Sequence, residues 1–256
     1  MCGLAGVIIS NKKRTDAQRQ DIASTFGRIL VNAQKRGRHA TGYVKINSDN
    51  SYDLFKRATS ADSLVKTSMH KTIMADVDSN TTAILGHTRY ATKGSPKVNS
   101  NNHPIRAGKI IGTHNGSIWN DEELVKKYDV EKFADVDSEV LFRLLNETPN
   151  VNDFADNVLP HFMGKITSVW YDVSNPKKIY VLKGNNPLEM VYCLENDVLY
   201  YASKLSYILS EIRMPYHECI TNENTLYTFN TDELTLSQRE IGFNGPSYNE
   251  RSLSLW

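Results

Sequence analysis

The chain has 256 residues and a net charge of +1, with 30 lysines and arginines against 29 acids. That balance gives no reason to expect a nucleic-acid or membrane-surface partner, and 40% apolar with 23% charged residues is ordinary for a globular chain. No apolar run approaches the ~20 residues of a membrane span, no secretory signal opens the chain, and three scattered cysteines, Cys2, Cys193 and Cys219, fit a reducing cytoplasm better than a disulfide framework.

In chain order, "GLAGVIIS" (3–10) reads as a buried strand. Residues 15–37 read as a helix: Ile22, Phe26, Ile29, Leu30 and Ala33 share one face, and Gly37 stops it. "ATGYVKI" (40–46) and "YDLFKRA" (52–58) alternate as two strands around a polar turn. "SADSLVKTSM" (60–69) opens on a serine cap and predicts a helix. "TAILGHTRY" (82–90) is a strand running into the Gly-, Pro-, Asn- and Ser-rich loop 91–108. A loop that long in a compact domain is more often functional or disordered than neutral.

"KIIGTHNGSI" (109–118) predicts a strand ending in an Asn-Gly turn. Helices follow at 120–128, capped by Asn120, at 137–147, capped by Asp137 or Ser138, and a short one at 152–162. Strands are predicted at 165–173, 178–184, 188–194 and 197–203, then a helix at 204–212 and closing strands in "TLYTFN" and "LTLSQREI". Two groups of strands with helices between them suggest one layered α+β domain.

Reactive or polar groups collect where the strand pattern ends: Cys2, "GHTRYATKG" (86–94), "THNGSI" (113–118) and "DVDSEV" (135–140), with "KRGRHATG" (35–42) as a weaker fifth. A lone cysteine is usually inert packing. Removal of Met1 would give Cys2 a free α-amine with an unperturbed pKa of about 8, in the same residue as a thiol near about 8.5. Such an amine can take the thiol proton and return it to a leaving group. Arg89 is either a loop brace or a fork that clamps a carboxylate. Asn115-Gly116 is either a tight turn or a pair of donors aimed at one oxyanion. Asp137 is either a helix cap or an acceptor for a substrate ammonium. His39, His87, His103 and His114 match no metal-ligand spacing, so no metal and no cofactor is expected.

Together, "MCG-x-x-G", "GHTRYAT-x-G", "HNG-x-I-x-N" and "D-S-E" resemble the class II glutamine amidotransferases, the glutaminase domains of the N-terminal nucleophile hydrolases. The resemblance covers roughly residues 1–210, with "GKITSVWYD", "KGNNPL" and "YYASKLSYIL" as later traces. It implies a four-layer αββα sandwich of two facing antiparallel sheets. It also implies roles: Cys2 as nucleophile, Asn115 and Gly116 as oxyanion hole, Arg89 on the α-carboxylate of glutamine, and Asp137 with the Gly116 carbonyl on its α-amine. Tyr90, Thr92 and Lys93 fall in the loop over the substrate. Two departures stand out. His39 replaces an acid in "RGRHATG", and Lys93 stands where some relatives have histidine.

We take residues 1–241 as the amidotransferase domain and 242–256 as a flexible or docking tail. The remainder is too short for a second domain. Three functions are then open: a glutaminase passing ammonia to a separate synthase or transferase, a stand-alone γ-glutamyl amide hydrolase, and a non-catalytic glutamine-binding or assembly subunit. Cytoplasmic location is expected.

Overall fold

β1 (Gly3–Ile9) is buried on both faces, and the computed structural model, which describes residues 1–243, gives the reason: the strand runs near the centre of a sheet covered on both sides. The other strands are β2 (Ala40–Asn47), β3 (Tyr52–Arg57), β4 (Thr81–Arg89), β5 (Ile105–Ala107), β6 (Ile110–Ile118) and β7 (Gly164–Asp172). They continue with β8 (Asn175–Lys183), β9 (Glu189–Cys193), β10 (Val198–Ala202), β11 (Tyr216–Cys219), β12 (Thr225–Asn230) and β13 (Thr235–Glu240). The helices are α1 (Asp16–Ala33), α2 (Ala61–Leu64), α3 (Ser68–Ala75), α4 (Asp121–Tyr128), α5 (Ser138–Glu147), α6 (Val151–Asp153) and α7 (Leu205–Leu209).

One sheet has the order β11-β9-β10-β1-β4-β2-β3 and the other β13-β12-β8-β7-β6-β5, and every strand pairing is antiparallel. Period-2 alternation sorts the side chains into layers. Ala5, Val7 and Ile9 of β1 pack under α1 with Ile22, Phe26 and Leu30. Leu4 and Ile8 point the other way, to Ile111, Val169 and Val181 of the second sheet. The outer face of that sheet, with Ile110 and Trp170, buries Val140, Leu141 and Leu144 of α5. The result is the expected αββα sandwich.

Helix α1 starts where the sequence says, with a reciprocal Thr15–Gln18 capping box. Elsewhere the structure corrects the sequence reading. The helix expected over 60–69 is two: α2 is a single turn, and α3 starts afresh at Ser68 because the Thr67 side chain caps it at the His70 N–H. β5 and β11 are edge strands too short to carry a pattern.

The segment Asn115-Gly116 is no turn. β6 runs straight through it, with Asn115 opposite Thr167 and Gly116 opposite Ile166 on β7. A Cβ on Gly116 would lie 1.8 Å from the Lys165 carbonyl oxygen, so this glycine admits a neighbouring backbone rather than a bend. Asn120 and Asp137 occupy N-cap positions without side-chain capping bonds. Asn120 bonds instead to His161 and Met163, and Asp137 to Ile118. The chain stays packed to Phe243, two residues into the expected tail, against the α5 side of the second sheet. The rest of that tail, 244–256, lies outside the described residues.

Candidate active site

The β1–β4 ladder ends at the pair Gly3–Thr88, so Cys2 steps off the sheet beside the end of β4. Its Sγ accepts from the Tyr90 N–H at 3.4 Å and lies 3.6 Å from the Tyr90 carbonyl oxygen. Arg36 Nε donates to the Cys2 carbonyl at 2.7 Å. A Cβ at Gly3 would fall 2.6 Å from the Ala33 carbonyl oxygen, so the residue after the cysteine has to be glycine for the strand to lie this close to α1. Burial pushes the Cys2 thiol up. The Tyr90 N–H, the terminal ammonium and Arg89 oppose that rise, while Asp137 adds to it.

The second sheet faces this point, for β6 packs against both β1 and β4. Asn115 is buried, and its Nδ2 has no hydrogen-bond partner. An unpaired buried amide donor costs on the order of 1–3 kcal/mol, so it calls for a partner that the folded chain itself does not supply. Gly116 beside it is exposed. Asp137 accepts from the Ile118 N–H at 2.6 Å, which ties the start of α5 to the end of the same strand. His114, directly before Asn115 in sequence, turns away to Ser138 Oγ at 2.8 Å and the Lys165 carbonyl at 3.2 Å.

Arg89 is buried and already engaged. Its Nη1 donates to Asn102 Oδ1 at 2.9 Å, and its Nη2 to the carbonyls of Lys93 at 2.5 Å and Gly94 at 2.7 Å. Both readings of this arginine thus have a physical basis: it braces the loop, and it sits in the field of Cys2 and Asp137. Lys93 reaches across to α4 and donates to both Asp121 oxygens, at 3.1 and 2.9 Å, while Lys132 donates to the same carboxylate at 2.7 Å. Burial raises the Asp121 carboxyl, but the hydrogen bonds and charges of Lys132 and Lys93 outweigh it and hold the group below the usual carboxylate range. Tyr90 is exposed and lies 4.9 Å from the His39 ring. Thr92 is exposed.

His39 Nδ1 accepts the Ala91 N–H at 2.9 Å. It keeps the acceptor that an acid at this position would offer. The four histidines weighed as metal ligands do not converge as ligands. The rings of His87 and His103 lie 4.2 Å apart, while His39 and His114 are committed elsewhere. Among the described residues no group of three His, Cys, Asp or Glu could hold a metal ion. Burial pushes His87 down to about 3, so this pair is neutral packing.

Sequence reasoning missed Arg36, Asp121, Lys132, Asn102 and the pair Asn185–Asn186. Asn185 Oδ1 accepts from the Ile166 N–H at 3.0 Å, and Asn186 Nδ2 donates to the Asn115 carbonyl at 2.9 Å. "KGNNPL" stands in the sequence only as a late trace of the resemblance, and nothing local says its amides cross to β6 and β7. A groove of about 1120 Å³ along β3, α3 and Pro96–Asn99 contains none of these site residues.

Two facing antiparallel sheets lie between helical layers, with a cysteine at the second position stepping off the central strand. Residues 87–210 match a family model described as a glutamine amidotransferase domain. It is 28% identical over 211 residues to 7-cyano-7-deazaguanine synthase of Sulfolobus acidocaldarius, covering 79% of this chain and 43% of that protein. Over 195 residues it is 28% identical to the isomerizing glutamine–fructose-6-phosphate aminotransferase of Bacillus cereus, covering 73% and 30%. The fold matches that of glutamine phosphoribosylpyrophosphate amidotransferase from B. subtilis with a TM-score of 0.70 at 17% identity, over 93% of this chain and 49% of that one. The chain thus spans less than half the length of these curated relatives. Among the described residues no helix is long and apolar enough to cross a membrane.

Proposed function

We propose that this chain hydrolyses the side-chain amide of glutamine and hands the ammonia to an acceptor held by a partner. The observation that carries the reading is the unpartnered buried Nδ2 of Asn115, on a strand packed against the one that Cys2 precedes. Glutamine is held by its amino-acid end, the α-carboxylate on Arg89 and the α-ammonium on Asp137, with Tyr90, Thr92 and Lys93 in the loop above it. Each charge-assisted bond contributes roughly 1.5–3 kcal/mol where water is excluded.

The Cys2 thiolate adds to the amide carbon. The oxygen, now anionic, is stabilised by Asn115 Nδ2 and the Gly116 N–H. The C–N bond breaks, and ammonia leaves with a proton from the Cys2 α-amine. Water then adds to the thioester, and glutamate departs. The raised thiol of the Met1-bearing chain supports a need for that amine as base, which removal of Met1 would expose.

Support for an acceptor comes from the relatives' names, a synthase and an aminotransferase, and from the minority share of each that this chain matches. Turnover of glutamine by wild type and by Cys2→Ala, with intact mass on the same samples, tests the chemistry. Active protein lacking Met1 and an inert Cys2→Ala are expected. An active sample that keeps Met1 rules out the amine as base, and an active Cys2→Ala rules out the whole mechanism. Stimulation by a co-purified protein is expected. Full activity alone on larger γ-glutamyl amides would favour the stand-alone hydrolase.

A further inference from the structure

We propose that Asn186 is the positioning residue of the oxyanion pocket, fixing the direction of the Gly116 N–H; this rests on the glutaminase reading above. The argument begins with one peptide unit. Asn186 Nδ2 donates to the Asn115 carbonyl at 2.9 Å, in a buried setting. The only cis peptide among the described residues is His103-Pro104, so the 115–116 peptide is trans. In a trans peptide the C=O and the following N–H point in opposite directions. Pinning the Asn115 oxygen toward Asn186 therefore aims the Gly116 N–H the other way, and Gly116 is an exposed residue.

The pin is itself held. Asn186 is 3% exposed. Its carbonyl accepts from Lys183 Nζ at 2.7 Å and from Thr167 Oγ1 at 2.9 Å, and its N–H lies 3.3 Å from the same hydroxyl. Thr167 is the residue opposite Asn115 in the ladder. A backbone gripped by a buried ammonium and by a hydroxyl on β7 leaves the Asn186 amide little freedom. A turn closing β8 to β9 has no need to send a side chain across to β6, 71 positions away in sequence. The supporting shell around an oxyanion pocket does have such a need, because its donors must be fixed before charge develops.

Asn186→Ala removes the donor. Asn186→Asp keeps the size and presents an acceptor to the Asn115 oxygen, so it stays informative if the alanine variant fails to fold. Glutamine hydrolysis, thermal midpoint and the rate of Cys2 alkylation by iodoacetamide are measured on both. Alkylation needs the thiol but no oxyanion pocket. The expected result is kcat lowered by about tenfold or more, a larger loss for Asn186→Asp, KM within about twofold, and alkylation within about twofold of wild type. A folded variant with wild-type kcat overturns the proposal. So does a loss shared equally by KM and alkylation, which would mean a general loosening of the fold. A wild-type chain whose cysteine alkylates but which turns over no glutamine, alone or with a partner, fails the functional reading itself, and the proposal falls with it.

Discussion

The two halves of the site are held by different physics. Asn115 and Gly116 belong to β6, paired along its length to β7, with Asn115 buried and Gly116 exposed. Loop 90–102 is held by Arg89, Lys93 and the amides of Asn101 and Asn102, with exposed residues at Tyr90, Thr92 and Lys93. A strand ladder fixes direction, and many bonds share the load. A loop laced by a few charged hydrogen bonds can give way one bond at a time. The strand half is therefore suited to the demand of the transition state, the loop half to admitting and gripping substrate.

The largest effect expected is on the strand side. Asn115→Ala should lower kcat by about 10²–10³-fold with little change in KM, read by steady-state glutaminase kinetics; a purely KM effect would erase the contrast between the halves. Arg89→Ala comes next and should do two things. KM should rise by about 10- to 100-fold, the worth of a charged hydrogen bond, and the thermal midpoint should fall because three loop bonds go with the side chain. A stable variant with raised KM would assign the residue to substrate alone, and an unstable one with wild-type KM to the loop alone.

Asp121→Asn sharpens the picture through pH. The folded carboxyl is held below its ordinary range, so its stabilisation is present above the unfolded pKa of about 4 and disappears as pH falls through the folded value. The variant should be less stable than wild type at pH 7, by about 1–3 kcal/mol, and the gap should close at acid pH. A gap independent of pH would mean that the Lys93 and Lys132 pairs do not carry it. Smallest is Lys93→Ala, which removes one half-exposed partner from a carboxylate that keeps another. A stability loss under about 1 kcal/mol is expected, with a modest rise in KM; a kcat effect as large as that of Asn115→Ala would break the division of labour.

Much of the fold was legible because its cause is local. The Thr15–Gln18 box and the apolar face of α1 can be counted along the chain, as can the alternation in β2 and β7. Where reading failed, the deciding contact was distant. Asn115-Gly116 carries the usual letters of a turn, yet the close approach of Lys165 makes it strand. Asp137 carries the letter of a cap, yet the Ile118 N–H claims its oxygen. Asp121 stands in the first turn of α4, and only the fold delivers Lys93 and Lys132 to it.

By itself the sequence determined that β strands would outnumber helices and that a thiol stands one residue from the start, ahead of a glycine. It also carried the set Arg89, Asn115-Gly116 and Asp137, whose order resembles a known family. Tertiary structure alone decided that β6 packs against β1 and β4, and that Asn186 donates to the Asn115 carbonyl while Arg36 donates to that of Cys2. The reason is physical. Side-chain alternation is a property of neighbours in the chain, whereas the stacking of two sheets is settled by how whole faces exclude water together. No short stretch holds that information.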